Sequence, residues 1–141
     1  MKPENMRNEG HVKKAVRELA EFVGAYHVMS VPVGYGKQGI PDFLLCVRGR
    51  LVGVETKFRT NRVSAHQVRE LKAIHQAGGI SVVANEKGLV RLGLLLDKVA
   101  KTPWAINPEH VLNFTFARRG EPVQHDGLPW GYVWWENDDG Q

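Results

Sequence analysis

The sequence predicts an α/β domain built on a mixed central β-sheet, an antiparallel hairpin joined to a βαβ crossover, with helices flanking it. Three observations carry that prediction. Two apolar runs, Phe43–Val47 and Leu51–Val54, flank a short glycine-containing turn, which makes an antiparallel hairpin. A helical pattern from Ser64 to about Ala77 separates this hairpin from a third apolar run, Ile80–Ala84. Strand, helix, strand requires a parallel pair with a right-handed crossover.

The remaining elements follow in order. From Glu9 to Val23, Val12, Ala15, Val16, Leu19, Ala20 and Val23 recur at three- and four-residue spacing, and Gly24 ends the run. Lys13, Lys14, Arg17, Glu18 and Glu21 take the other positions, as solvated helix charges do; of the helix acids, Glu9 sits at the start. Ala25–Val31 reads as a first strand, closed by Pro32. Residues 34–39 form a glycine-rich loop that is not a Walker A loop, because no Gly-Lys-Ser/Thr opens a helix after it. Tyr35 and Lys37 in that loop are candidate nucleic-acid contacts. Phe58–Val63 is a basic loop carrying Arg59 and Arg62, and Ser64 with Gln67 fits a capping box at the start of the second helix. Val68, Leu71 and Ile74 supply that helix with an apolar stripe. Asn85–Gly88 is a turn, and a third helix runs from about Gly93 to Lys101. Val111–Ala117 is a further strand candidate in a tail that holds all four tryptophans: Trp104, Trp130, Trp134 and Trp135.

At 141 residues the chain is long enough for one domain with a real core, and its 43% hydrophobic and 24% charged content is ordinary for a globular protein. No apolar run approaches the ~20 residues of a membrane span, and no apolar signal segment follows Met1–Asn5. Cys46 is the single cysteine, which argues for a reducing cytoplasm (a host's cytoplasm for a viral chain) and against a zinc cluster. Residues 1–101 carry 17 Lys+Arg against 9 Asp+Glu, a balance of +8; residues 102–141 carry 2 against 6, a balance of −4. The division is therefore a basic core, 1–101, and an acidic, Trp-rich extension, 102–141, packed on the core or on a partner subunit. A basic body suits a phosphate-backbone ligand.

Gly39–Lys57 organises the rest. Strand interiors normally avoid carboxylates and ammonium groups, so Asp42, Glu55 and Lys57 need an explanation. With Gly49-Arg50 as a two-residue loop, Arg48 faces Leu51, Leu44 faces Glu55 and Asp42 faces Lys57. Side chains alternate along a strand, so Asp42, Glu55 and Lys57 then share one face. A three-residue loop would turn Asp42 away. Opposed residues have Cβ atoms ~5 Å apart. That is close enough for two carboxylates to hold one cation with oxygens at ~2.0–2.6 Å. Phosphodiester hydrolysis needs an activated water and relief of negative charge in the transition state; a carboxylate-held magnesium ion supplies both. Magnesium needs few protein ligands, so Asp42, Glu55 and the Thr56 backbone carbonyl suffice. Lys57, two residues after Glu55, can orient the water or neutralise developing charge.

The ordered set Gly39-x-Pro41-Asp42, Glu55-x-Lys57 and Ser64-x-x-Gln67 resembles the PD-(D/E)xK nuclease superfamily, and most closely its virus-type replication-repair nuclease (VRR-NUC) branch, over about residues 9–85. The resemblance implies a restriction-endonuclease-like core, dependence on Mg²⁺ with Mn²⁺ able to substitute, and DNA as substrate. By it Asp42 and Glu55 are metal ligands, Lys57 the catalytic lysine and Gln67 a supporting active-site residue. Stand-alone members of the branch are often homodimers that act on branched DNA such as Holliday junctions. One departure is visible. The family's first-helix glutamate has no unambiguous match; a gap-free count back from Gly39 brings Lys13 near its place, and Glu9 is a candidate carry-over for that ligand. The expected function is thus a metal-dependent DNA endonuclease of junction-resolvase type. The alternative is a non-catalytic nucleic-acid-binding domain on the same fold, which would have no need of the Asp42, Glu55 and Lys57 trio.

Overall fold

In a computed structural model of the chain, residues 1–31, 37–102, 122–125 and 128–132 are described. Tyr35, Pro32 and the strand candidate at Val111–Ala117 lie outside them, as do Trp104, Trp134 and Trp135. Helix α1 (Glu9–Phe22) leads into β1 (Tyr26–Met29), β2 (Phe43–Val47) and β3 (Arg50–Thr56); α2 (Ala65–Gln76) connects to β4 (Ile80–Ala84), and α3 (Leu89–Lys101) follows. The four strands form one mixed sheet in the order β1-β2-β3-β4, with β3 and β4 parallel and the other pairs antiparallel. Beyond it, β5 (Pro122–His125) and β6 (Leu128–Tyr132) make a separate antiparallel pair, with β6 beside α3. No helix among the described residues is long and apolar enough to cross a membrane.

Val12, Val16 and Ala20 of α1 meet Phe43, Leu45 and Val47 of β2, Val52 and Val54 of β3, and Leu92, Leu95, Leu96 and Val99 of α3, all buried. Each such Val, Leu or Phe side chain removed from water stabilises the fold by about 1.5–3 kcal/mol. On the opposite face of β3, α2 approaches so closely that a Cβ at Gly53 would lie 2.8 Å from the Ile74 side chain. Ser81 Oγ donates to the Leu71 carbonyl at 2.6 Å, tying α2 to β4.

Three boundaries differ from expectation. The first strand is shorter, Tyr26–Met29 rather than Ala25–Val31. The third helix begins at Leu89, not Gly93, because its buried stripe starts there, directly after a 3-10 turn capped by Asn85. The hairpin loop is Arg48-Gly49 rather than Gly49-Arg50: Val47 pairs with Arg50, and Phe43 with Val54. Both loop residues have positive φ, 51° and 86°, the geometry of a type I′ turn, which places glycine second. Arg50 joins β3 and donates to the Gly78 carbonyl at 3.2 Å. This register moves every pair by two, so the parity survives. Continued outward from Phe43 and Val54, it sets Asp42 opposite Glu55 instead of opposite Lys57. The two carboxylates are closer partners than the sequence suggested.

Candidate active site

Asp42 is placed from two directions. Its carbonyl accepts from the Ser30 N–H at 2.8 Å, which extends the β1–β2 pairing past its last ladder pair. Before it, Gly39 has φ +83°, and a Cβ there would fall on the His66 backbone carbonyl. Only glycine allows the loop to nest against the start of α2 in this conformation. The Asp42 Oδ2 then accepts from the Thr56 N–H at 2.9 Å and the Thr56 hydroxyl at 2.6 Å. Its Oδ1 lies 3.6 Å from Lys13 Nζ, and the same ammonium is 3.6 Å from Glu9 Oε2.

Glu55 is treated differently. It is 2% exposed at the end of β3. Its Oε2 accepts from Gln67 Nε2 at 2.8 Å and lies 3.3 Å from Lys57 Nζ. Its Oε1 is buried without a partner. Burial, and next the charge of Asp42, push this carboxyl up to about 8; Lys57 opposes the rise and Glu9 adds to it. A buried carboxylate with one orphaned oxygen, facing a second carboxylate, marks a place where positive charge is missing.

Gln67 reconciles two roles. Its Oε1 accepts from the Ser64 N–H at 2.9 Å while the Ser64 hydroxyl accepts from the Gln67 N–H at 3.2 Å, completing the capping box. Its amide nitrogen remains free to donate to Glu55. One side chain starts α2 and fixes the rotamer of a carboxylate on β3.

The structure thus gathers Glu9, Asp42, Glu55, Lys57 and Gln67 at one end of the sheet, while Glu18 stays exposed on α1. Thr56 enters through its N–H and hydroxyl. Lys37 is exposed and pairs with Glu70 at 3.5 Å. Arg59 and Arg62 are exposed on the loop after Lys57. Arg59 has φ 54°; its N–H donates to buried Glu86 at 2.9 Å, its carbonyl accepts from buried Asn85 at 3.1 Å, and its guanidinium stacks on Phe58. Sequence reasoning took Asn85 and Glu86 for a plain turn and Lys13 for a solvated helix charge. For Lys13 a signal existed: the count back from Gly39.

Among the described residues no cluster of three His, Cys, Asp or Glu side chains is arranged to hold a metal ion. The donor set is the pair Asp42 and Glu55, which fits a hard divalent cation that keeps most of its waters. The orphaned Glu55 oxygen is the observation that supports the fit.

A mixed sheet of hairpin plus parallel crossover strand, enclosed by three helices, is a restriction-endonuclease-like fold, and the domain is nuclease-like. The chain is similar to a solved VRR_NUC domain, with 30% identity and a TM-score of 0.50, over 60% of this chain and 91% of that one. It belongs to the VRR_NUC domain family. No family model and no curated protein matches it.

Proposed function

We propose that this protein is a metal-dependent DNA endonuclease, with Mg²⁺ as the working ion and Mn²⁺ as a substitute. The carrying observation is the opposed Asp42 and Glu55 pair with Lys57 Nζ 3.3 Å from Glu55. Asp42 and Glu55 would hold the ion, with the Thr56 carbonyl as a further candidate ligand, while Glu9 pairs with Lys13 at 3.6 Å. A divalent ion in this place lowers the pKa of a bound water and offsets charge on the phosphate.

The chain's own residues prepare that chemistry. Thr56 pins one oxygen of Asp42 with two hydrogen bonds, and the other, Oδ1, faces the Lys13 ammonium at 3.6 Å. Gln67 and Lys57 fix one oxygen of Glu55 and leave Oε1 open. The Lys57 ammonium, its side chain 12% exposed, is held where it can orient the attacking water and neutralise charge developing on the transferred phosphate. Lys37, Arg59, Arg62 and Tyr35 contact the DNA backbone or its bases, supported by the basic balance of residues 1–101. A branched substrate, a homodimeric state and a division into a 1–101 nuclease core and a 102–141 extension belong to the same reading.

Purified protein incubated with linear, flap, single-stranded and four-way-junction DNA tests it. Cleavage is expected with Mg²⁺, most strongly of the branched forms, and none with EDTA. Lys57→Ala lowers cleavage at least about 100-fold while DNA binding persists. Cleavage that survives in both Lys57→Ala and Asp42→Asn contradicts the site; binding without any cleavage favours a non-catalytic DNA-binding domain.

A further inference from the structure

We infer that Lys13 is a resident counter-ion that reserves the Glu9–Asp42 side of the site, so that the site accepts one divalent ion and not two; this rests on the metal-dependent reading above. The ammonium is equidistant, at 3.6 Å, from Asp42 Oδ1 and Glu9 Oε2. Those two oxygens belong to Asp42, just before β2, and Glu9, at the start of α1, and both already face a positive charge. On the other side Lys57 is 3.3 Å from Glu55 Oε2. In the ion-bound site, counted with Glu9, Asp42 and Glu55 ionised, three negative charges meet two ammonium groups, which leaves one net negative charge before the ion is added. One divalent ion brings the site to +1, and a second would bring it to +3 within a few ångströms. Glu55 Oε1 is buried without a hydrogen-bond partner, which places the unmet demand for a cation on the Glu55 side. Glu9 is thereby a ligand to Lys13 rather than to an ion.

Lys13 also lies where its loss does not threaten folding. Its side chain is one-third exposed, and Val12, Val16 and Ala20 supply the buried stripe of α1. Exposed ion pairs of this kind contribute little to stability. A lysine serving α1 alone would therefore leave ion binding unchanged when removed. A lysine competing with the ion would not.

The test counts Mn²⁺ bound by the full chain, by electron paramagnetic resonance and calorimetry, for wild type, Lys13→Arg, Lys13→Ala and Lys13→Glu. Melting in EDTA is measured alongside. Wild type and Lys13→Arg are expected to bind one Mn²⁺ with affinities within about threefold of each other. Lys13→Ala binds it about tenfold more tightly, as removal of a unit charge close to a divalent ion requires even in water. Lys13→Glu takes up a second ion. Neither variant melts higher than wild type in EDTA, which separates ion competition from general stabilisation. Two ions on wild type, or equal count and affinity in wild type and Lys13→Glu, overturn the role of Lys13 and leave the nuclease reading standing. Absence of Mn²⁺ binding by every protein in the set overturns both.

Discussion

The two carboxylates that face each other across the hairpin are held in opposite ways. Asp42 is partly exposed, and both its oxygens have partners: two neutral donors from Thr56 on one, the Lys13 ammonium near the other. Glu55 is buried; one oxygen is doubly engaged by Gln67 and Lys57, while the other has none. Asp42 is a satisfied structural anchor that also faces the site, whereas Glu55 is held at a cost that only an added positive charge removes. Orphaned buried polar atoms cost about 1–3 kcal/mol, more for charged groups, so such an arrangement signals function rather than stability.

The sharpest way to break this comparison is to remove charge from Glu55. In the folded protein this group binds its proton up to about pH 8, against 4.5 as its ordinary value. Between those limits the folded chain holds a proton that the unfolded chain has released. The stability contributed by this group is therefore fully present below about pH 4.5 and is lost as pH rises toward about 8. In EDTA, Glu55→Gln is expected to flatten that decline and to exceed wild type above pH 8 by on the order of 2–4 kcal/mol. Denaturant unfolding at pH 6 and pH 9 checks it, and a wild type no less stable at pH 9 contradicts the buried-acid description.

A smaller effect separates the two ends of the Gln67 amide. Ser64→Ala removes the cap alone, at about 1 kcal/mol, and is expected to leave cleavage within about twofold. Gln67→Ala removes the cap partner and the hydrogen bond to Glu55 together. It should cost a similar amount of stability yet lower cleavage about tenfold or more. Urea unfolding and initial cleavage rates on one DNA substrate measure the pair; equal activity losses would reduce Gln67 to a helix cap.

Much of this was legible in the sequence because strand alternation and helix periodicity are local. The hairpin, the parallel crossover and the shared face of Asp42, Glu55 and Lys57 all follow from spacing. The register did not, since Arg48-Gly49 and Gly49-Arg50 differ only in which residue takes which turn position, and the choice was made by type I′ geometry and by the bond from Arg50 to Gly78. Parity rescued the site: both registers put the same residues on one face. Helix periodicity assigns Lys13 to solvent, and the count back from Gly39 flags its position without showing its partners. Only the approach of α1 to the end of β2, a tertiary fact, turns it onto Asp42. The hold of Asn85 and Glu86 on the Arg59 backbone was invisible for the same reason, being 26 and 27 residues away in sequence.

The central claim is that Asp42 and Glu55 form one ion site kept short of a positive charge, and proton release on ion binding tests it most directly. Mg²⁺ titrated into the metal-free chain at pH 7, in buffers of different ionisation enthalpy, should displace about one proton per ion bound, since a carboxyl that titrates near 8 is mostly protonated there. The release should vanish in Glu55→Gln. Ion binding with no proton released, or release that persists undiminished in Glu55→Gln, would contradict the account.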